Sequence, residues 1–191
     1  MPVDVQKYIV IDMEWTVGDR GSARRPIEFA AILVDAKTLR AEREYSTLIN
    51  PGIPIPKRIQ RLTGIKDKDV IAAPTWPDAY KTLIAIIGKA NFDVHKSRVC
   101  SWGTSDRFVM RDANKRHNVK ATPTRHYDLR WRFSYAQRLR AQYSLERAAM
   151  EARVKRVGKA HRALSDARLA AALLPFIFGD KKIVRDPRFW S

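Results

Sequence analysis

Asp12 and Glu14 stand at alternate positions directly after the apolar run Gln6–Ile11 (QKYIVI). A strand ending in Asp-Met-Glu would carry both carboxylates on one side, because successive side chains of a strand alternate between faces. Desolvating two like charges side by side is costly unless a cation neutralises them. A divalent ion that prefers oxygen ligands, Mg²⁺ or Mn²⁺, is the natural partner. Taken alone, the pair fits equally a strand end where two acids face solvent.

Two further segments add groups of the same kind. In Trp102-Gly103-Thr104-Ser105-Asp106 a strand hands over to a helix, and Asp106 falls in the first helical turn. That is the sheet edge where α/β folds assemble their sites, although an acid there also complements the helix dipole. In Gly158-Lys159-Ala160-His161-Arg162-Ala163-Leu164-Ser165-Asp166-Ala167 a histidine lies in a glycine-marked loop and Asp166 in the first turns of the last helix. Four acids on three separate elements, with one histidine at a loop–helix junction, meet the requirement for two-metal phosphodiester hydrolysis. The histidine would take the proton of the attacking water, a task suited to a side chain that titrates near neutrality.

The elements that must position these groups are legible in outline. Strands are expected at Gln6–Ile11, Ile27–Val34, Glu42–Ile49 and Arg98–Trp102, the third followed by an Asn50-Pro51-Gly52 turn. A short helical piece falls at Arg58–Leu62, and a helix runs from Pro74-Thr75 to Ile87, stopped by Gly88. Ser105 can cap a helix reaching His117. Arg130–Arg140 and Leu145–Arg156 read as basic amphipathic helices, and a final helix spans Leu164–Phe178 before Gly179. Early strands and later alternating helices describe a single α/β domain, a mixed sheet flanked by helices. The domain is placed at 1–179 and a basic C-terminal tail at 180–191, with Phe189 and Trp190 able to dock back onto the body.

These residues resemble the DEDDh family of 3′→5′ exonucleases, which have the ribonuclease H-like fold. Asp12-Met13-Glu14-Trp15-Thr16 looks like its first motif, Trp102–Asp106 its second, and His161-Arg162-Ala163-Leu164-Ser165-Asp166-Ala167 its third. Asn50-Pro51, Leu62-Thr63-Gly64-Ile65 and Tyr143–Ala148 resemble its connecting segments, so the likeness spans residues 7–178. Within the family the sequence most resembles the Eri-type and KapD-like subgroup, which includes exonucleases acting on RNA 3′ ends. The resemblance implies that Asp12, Glu14, Asp106 and Asp166 hold two Mg²⁺ or Mn²⁺ ions and that His161 is the general base. It implies also that Met13, Thr16 and Leu62 line the pocket for the last nucleotide. Trp15 is bulkier than the small residue expected there. The implied activity is hydrolysis of single-stranded nucleic acid, RNA favoured over DNA, to 5′-mononucleotides. The alternatives are a DNA-directed exonuclease of the same family and a non-catalytic nucleic-acid-binding protein on the same fold.

Composition agrees with a polyanionic partner. Lys and Arg number 37 against 20 Asp and Glu, a net charge of +17 with pI near 10.4. Such an excess speeds the capture of nucleic acid but says nothing about chemistry. Arg130, Arg132, Arg138, Arg140, Arg147, Arg153, Lys155, Arg156, Lys159 and Arg162 crowd the approach to His161 and could track phosphates. Arg20, Arg24 and Arg25 could form the opposite bank. Trp131, Tyr135 and Tyr143 could stack on bases, but their helical spacing favours core. Cys100 is the sole cysteine, which excludes an intramolecular disulfide and a Cys-based zinc site. His95, His117 and His126 read as surface or turn residues, and Asp128 as structural. No apolar run reaches membrane-spanning length and the first residues lack a signal-peptide pattern, so a soluble, cytoplasmic setting is expected.

Overall fold

A computed structural model describes residues 4–17, 24–122 and 124–184. Five strands form one mixed sheet: β1 (Lys7–Thr16), β2 (Arg25–Asp35), β3 (Ala41–Leu48), β4 (Ser97–Ser101) and β5 (Arg125–Asp128). Their spatial order is β3-β2-β1-β4-β5, antiparallel on the β2 side of β1 and parallel on the β4 side. The helices are α1 (Lys57–Thr63), α2 (Asp67–Val70), α3 (Trp76–Ile87), α4 (Ser105–Arg116), α5 (Leu129–Ala136), α6 (Leu145–Glu151), α7 (Ala163–Ala172) and α8 (Leu174–Ile177). This is the ribonuclease H-like α/β arrangement that the sequence implies.

The period of two along β1 and β2 sorts the core into two layers. Tyr8, Val10, Ala30 and Ile32 face a cluster containing Leu129, Ala148, Ala163, Ala167 and Leu173, from α5, α6, α7 and the α7–α8 junction. Ile9, Ile11, Met13, Phe29 and Ala31 face the opposite cluster, with Trp76, Ala79 and Leu83 of α3 and Val109 and Ala113 of α4. β1 is thus covered on both sides, which explains its unbroken apolar run. Asp12 and Glu14 share the parity of Tyr8 and Val10 and so belong to the α7 side, whereas Met13 belongs to the α4 side.

β1 runs past the expected end at Asp12. Its ladder with β2 continues to Thr16 opposite Arg25, with an irregularity between Glu14 and Trp15. Its parallel pairing with β4 stops at Val10 opposite Cys100. Beyond that point β4 leaves through the Trp102–Thr104 turn, and a crevice opens beside Asp12 and Glu14. Parting strands at the carboxyl end of a parallel pair create the crevice where such sheets bind ligands.

Other elements depart from expectation for identifiable reasons. Thr104, not Ser105, occupies the N-cap of α4, and no side chain caps it. The helix expected over Arg130–Arg140 ends at Ala136, and the one over Leu145–Arg156 ends at Glu151, each followed by a residue of positive φ (Arg138, Arg153). The final helix is interrupted at Leu173 where Pro175 enters the next turn. The short strand β5 carries His126, which is part-buried rather than a free surface residue: its Nε2 lies 2.8 Å from Ser101 Oγ. Tyr143 is core as expected, but Trp131 and Tyr135 are 50% and 75% exposed. Phe133, Ser134 and Gln137 take the inward face of that region instead. Beyond Gly179, Ile183 is buried and its N–H donates to Gln137 Oε1 at 3.0 Å. Phe189, Trp190 and Arg20 lie outside the described residues.

Candidate active site

The crevice beside β1 is a cleft of about 320 Å³. Asp12, Met13, Glu14 and Trp15 of β1 form its floor. Trp102, Ser105 and Asp106 come from the β4–α4 turn, Ile59, Leu62 and Thr63 from α1, and His161 and Asp166 from the start of α7. Ligand atoms of Glu14, His161 and Asp166 all lie within 4.8 Å of one another, a grouping compatible with a metal ion. Asp12, Glu14, Asp106, His161, Asp166, Met13 and Leu62 therefore converge on one cleft. Thr16 does not reach its wall: its side chain is buried, with Oγ1 3.5 Å from its neighbour's carbonyl at Val17.

Two of the acids, Asp106 and Asp166, are held by hydrogen bonds from other elements of the site. Met13 N–H donates to Asp106 Oδ1 at 3.0 Å, tying the first turn of α4 to the middle of β1. His161 adopts φ 58°, a left-handed conformation uncommon outside glycine, and its N–H donates to Asp166 Oδ2 at 3.2 Å. Gly158, at φ 96°, starts this loop; a Cβ there would come within 3.2 Å of Ser165. Arg156 reaches the other oxygen of Asp166, and also donates to Glu146 at 2.9 Å.

The electrostatics are those of crowded, desolvated carboxylates. Burial, then Asp106, Asp166 and Glu14, push Asp12 well above the usual carboxylate range. Burial, then Asp166, Glu28 and Asp106, raise Glu14 to about 8. Burial lifts Asp106 to about 6, against the hydrogen bonds from its own N–H, Met13 and Ser101. Asp166 is also raised by burial, with Arg156 opposing. Four acids whose burial disfavours their ionisation form a site that a divalent cation would relieve. The oxygen-rich donor set fits Mg²⁺ or Mn²⁺.

Sequence reasoning missed the scaffold behind this cluster. Glu28 lies directly opposite Glu14 across β1 and β2 and is only 3% exposed. Its carboxylate accepts from Arg162 Nη2 at 2.7 Å and Nε at 3.1 Å, and from Ala163 N–H at 2.8 Å. It thereby fastens the start of α7, with His161 and Asp166, to the sheet. An acid inside the apolar run IEFAAILV was the available signal, since charged residues are rarely buried unless paired. Arg156 and Arg162 are thus engaged with carboxylates, whereas Arg153, Lys155 and Lys159 of the same basic stretch are exposed. On the other bank, Arg25 donates to the carbonyl of Pro51 at 3.0 Å and Arg24 stands 6.0 Å from the ring centre of Trp15.

A mixed ribonuclease H-like sheet with clustered acids where its strands part is the architecture of nucleases in the DEDDh group. The family model RNase_T, described as exonuclease, matches residues 9–174, and the chain belongs to this family. Protein NEN1 of Arabidopsis thaliana is 36% identical over 88 residues, 45% of this chain and 19% of that protein. DNA polymerase III subunit epsilon of Aquifex aeolicus (strain VF5) is 32% identical over 81 residues, 42% of this chain and 39% of that one. The aligned segments thus span less than half the length of either relative. Among solved structures, the nuclease domain of 3'hExo, a DEDDh family member bound to rAMP, superposes with a TM-score of 0.77. That match has 21% identity and covers 95% of this chain and 98% of the other. Among the described residues no helix is long and apolar enough to cross a membrane.

Proposed function

We propose that this protein is a metal-dependent 3′→5′ exonuclease that removes 5′-mononucleotides from single-stranded nucleic acid. The observation that carries the reading is the convergence of four carboxylates and one histidine, from β1, α4 and α7, on a single cleft. Asp12, Glu14, Asp106 and Asp166 would hold two Mg²⁺ or Mn²⁺ ions. Bound there, the ions would neutralise charge on the attacked phosphate and the leaving oxygen. His161 would accept the proton of the attacking water, its backbone anchored through Asp166. Met13 on the floor and Leu62 of α1 would enclose the terminal nucleotide, and Trp15 would offer its ring to the base.

RNA is the favoured strand, on the resemblance to the Eri-type and KapD-like subgroup; the structural likeness to a nuclease domain bound to rAMP is consistent with it. The match to a DNA polymerase subunit keeps DNA as the second reading. A time course on 5′-labelled single-stranded RNA and DNA with Mg²⁺ or Mn²⁺ tests both. A ladder shortening from the 3′ end, abolished by chelator and by Asp12→Ala, is expected, with the faster strand identifying the preferred sugar. Strands bound but left intact would replace catalysis by simple binding.

A further inference from the structure

We propose that Trp131 and Tyr135 form a base-stacking platform for the strand upstream of its 3′ end, an assignment that rests on the exonuclease reading of the cleft. The two rings sit one helical turn apart on α5 and stack on each other, centroids 5.3 Å apart and planes inclined by 10°. Both are exposed, at 50% and 75%, on a helix whose inward face is already filled by Leu129 and Phe133. Two large aromatic faces left toward solvent are therefore not needed by the core. Flat rings in an electropositive setting suit single-stranded nucleic acid, because every base has a π-face and the backbone is anionic.

Position and charge select this occupant. α5 begins beside the cleft: Trp102 on the cleft wall packs on Phe133 with ring centres 5.7 Å apart. The Arg130 guanidinium lies against Gly103, where a Cβ would approach its Cζ to 3.6 Å. On its other side, Tyr135 borders a groove of about 610 Å³ whose described lining includes Lys182 and no acid. A strand leaving the cleft past Trp102 would meet Arg130, two stacked rings and then Lys182. The acid at the start of α5, Asp128, has its carboxylate turned to the helix start, accepting from Trp131 N–H at 3.1 Å. In a chain of net charge +17 this order of groups fits a polyanion better than an apolar peptide.

The test is binding of 5′-labelled strands of about 4 to about 16 nucleotides, each ending in a non-hydrolysable 3′ linkage, followed by fluorescence anisotropy. Wild type is compared with Trp131→Ala/Tyr135→Ala and with Trp131→Phe/Tyr135→Phe, which keeps both π-faces. The alanine pair should lose roughly tenfold or more in affinity for the longest strands. It should lose little for the shortest, and the phenylalanine pair should retain most of the wild-type value. Equal affinity of wild type and the alanine pair at every length would overturn the platform and leave the exonuclease reading standing. A loss independent of length would overturn it too, by placing the rings at the terminus or showing a damaged fold. Absence of 3′ shortening on cleavable strands is a separate result, and it would remove the exonuclease reading itself.

Discussion

Consider the metal-free protein carried from about pH 5 to about pH 9. Glu14 is raised from an ordinary 4.5 to about 8 by burial and by its acidic neighbours. The folded state therefore holds this proton more tightly than the unfolded chain. The stabilisation is fully present below pH 4.5 and is lost as pH rises through about 8. The difference corresponds to roughly 5 kcal/mol, a large share of the stability of an ordinary domain. For a chain of this size it would lower the melting temperature by roughly 10–20 °C. Asp12, raised by the same causes, acts in the same direction. The assay is thermal unfolding in chelator across this range, wild type beside Glu14→Gln, which keeps the side-chain shape and removes the titration. The variant should flatten the curve and melt above wild type at the alkaline end. Added Mg²⁺ or Mn²⁺ should restore wild type there, and binding should release protons. Parallel curves for the two proteins would refute the picture of Glu14 as a desolvated acid crowded by its neighbours.

Three other outcomes are expected. His161→Ala should lower turnover by roughly 10²–10⁴-fold, while strand binding is retained; unchanged turnover in single-turnover assays would remove its role as base. Glu28→Gln should destabilise the protein by about 2 kcal/mol in urea melts, below the full figure for a broken buried pair because the Arg162 side chain is 42% exposed. It should also reduce turnover without touching the cleft. His126, lowered to about 4 mainly by burial, should stay neutral at pH 6, and its ring resonances followed by NMR should titrate only well below the ordinary histidine range.

The cluster of acids and histidine that lines the cleft was legible because its residues sit in three local motifs, each near the end of a recognisable element. What spacing alone did not carry was orientation. Trp131 and Tyr135 have the i, i+4 spacing of a core stripe, but α5 is only eight residues long and turns Leu129 and Phe133 inward. Asp12 was expected at a strand end, since an apolar run followed by an acid reads as termination. β1 continues because β2 supplies hydrogen-bond partners up to Thr16, information held far along the chain. The break at Leu173 was visible as Pro175, yet the Ala- and Leu-rich run on either side outweighed it. Glu28 was the hardest to read, because its partners Arg162 and Ala163 lie 134 and 135 residues away.

The two charge systems of the protein depend on each other. A cleft of four mutually repelling carboxylates would reject a phosphate backbone, whatever the basic surface outside it. Arg156 on Asp166 and Arg162 on Glu28 offset part of that negative charge, but their engagement holds α7 against the sheet and leaves Asp12 and Glu14 without a cationic hydrogen-bond partner among the described residues. On the exonuclease reading, divalent cations would complete the neutralisation where the backbone is to be cut. Capture then falls to cations outside the cleft, such as Arg153, Lys155 and Lys159, which are exposed near the loop that carries His161. Charge reversal at those three positions should weaken strand binding and flatten its salt dependence, while turnover at saturating strand stays near wild type. A fall in turnover of the same size as the fall in affinity would mean that these cations act within the chemical step.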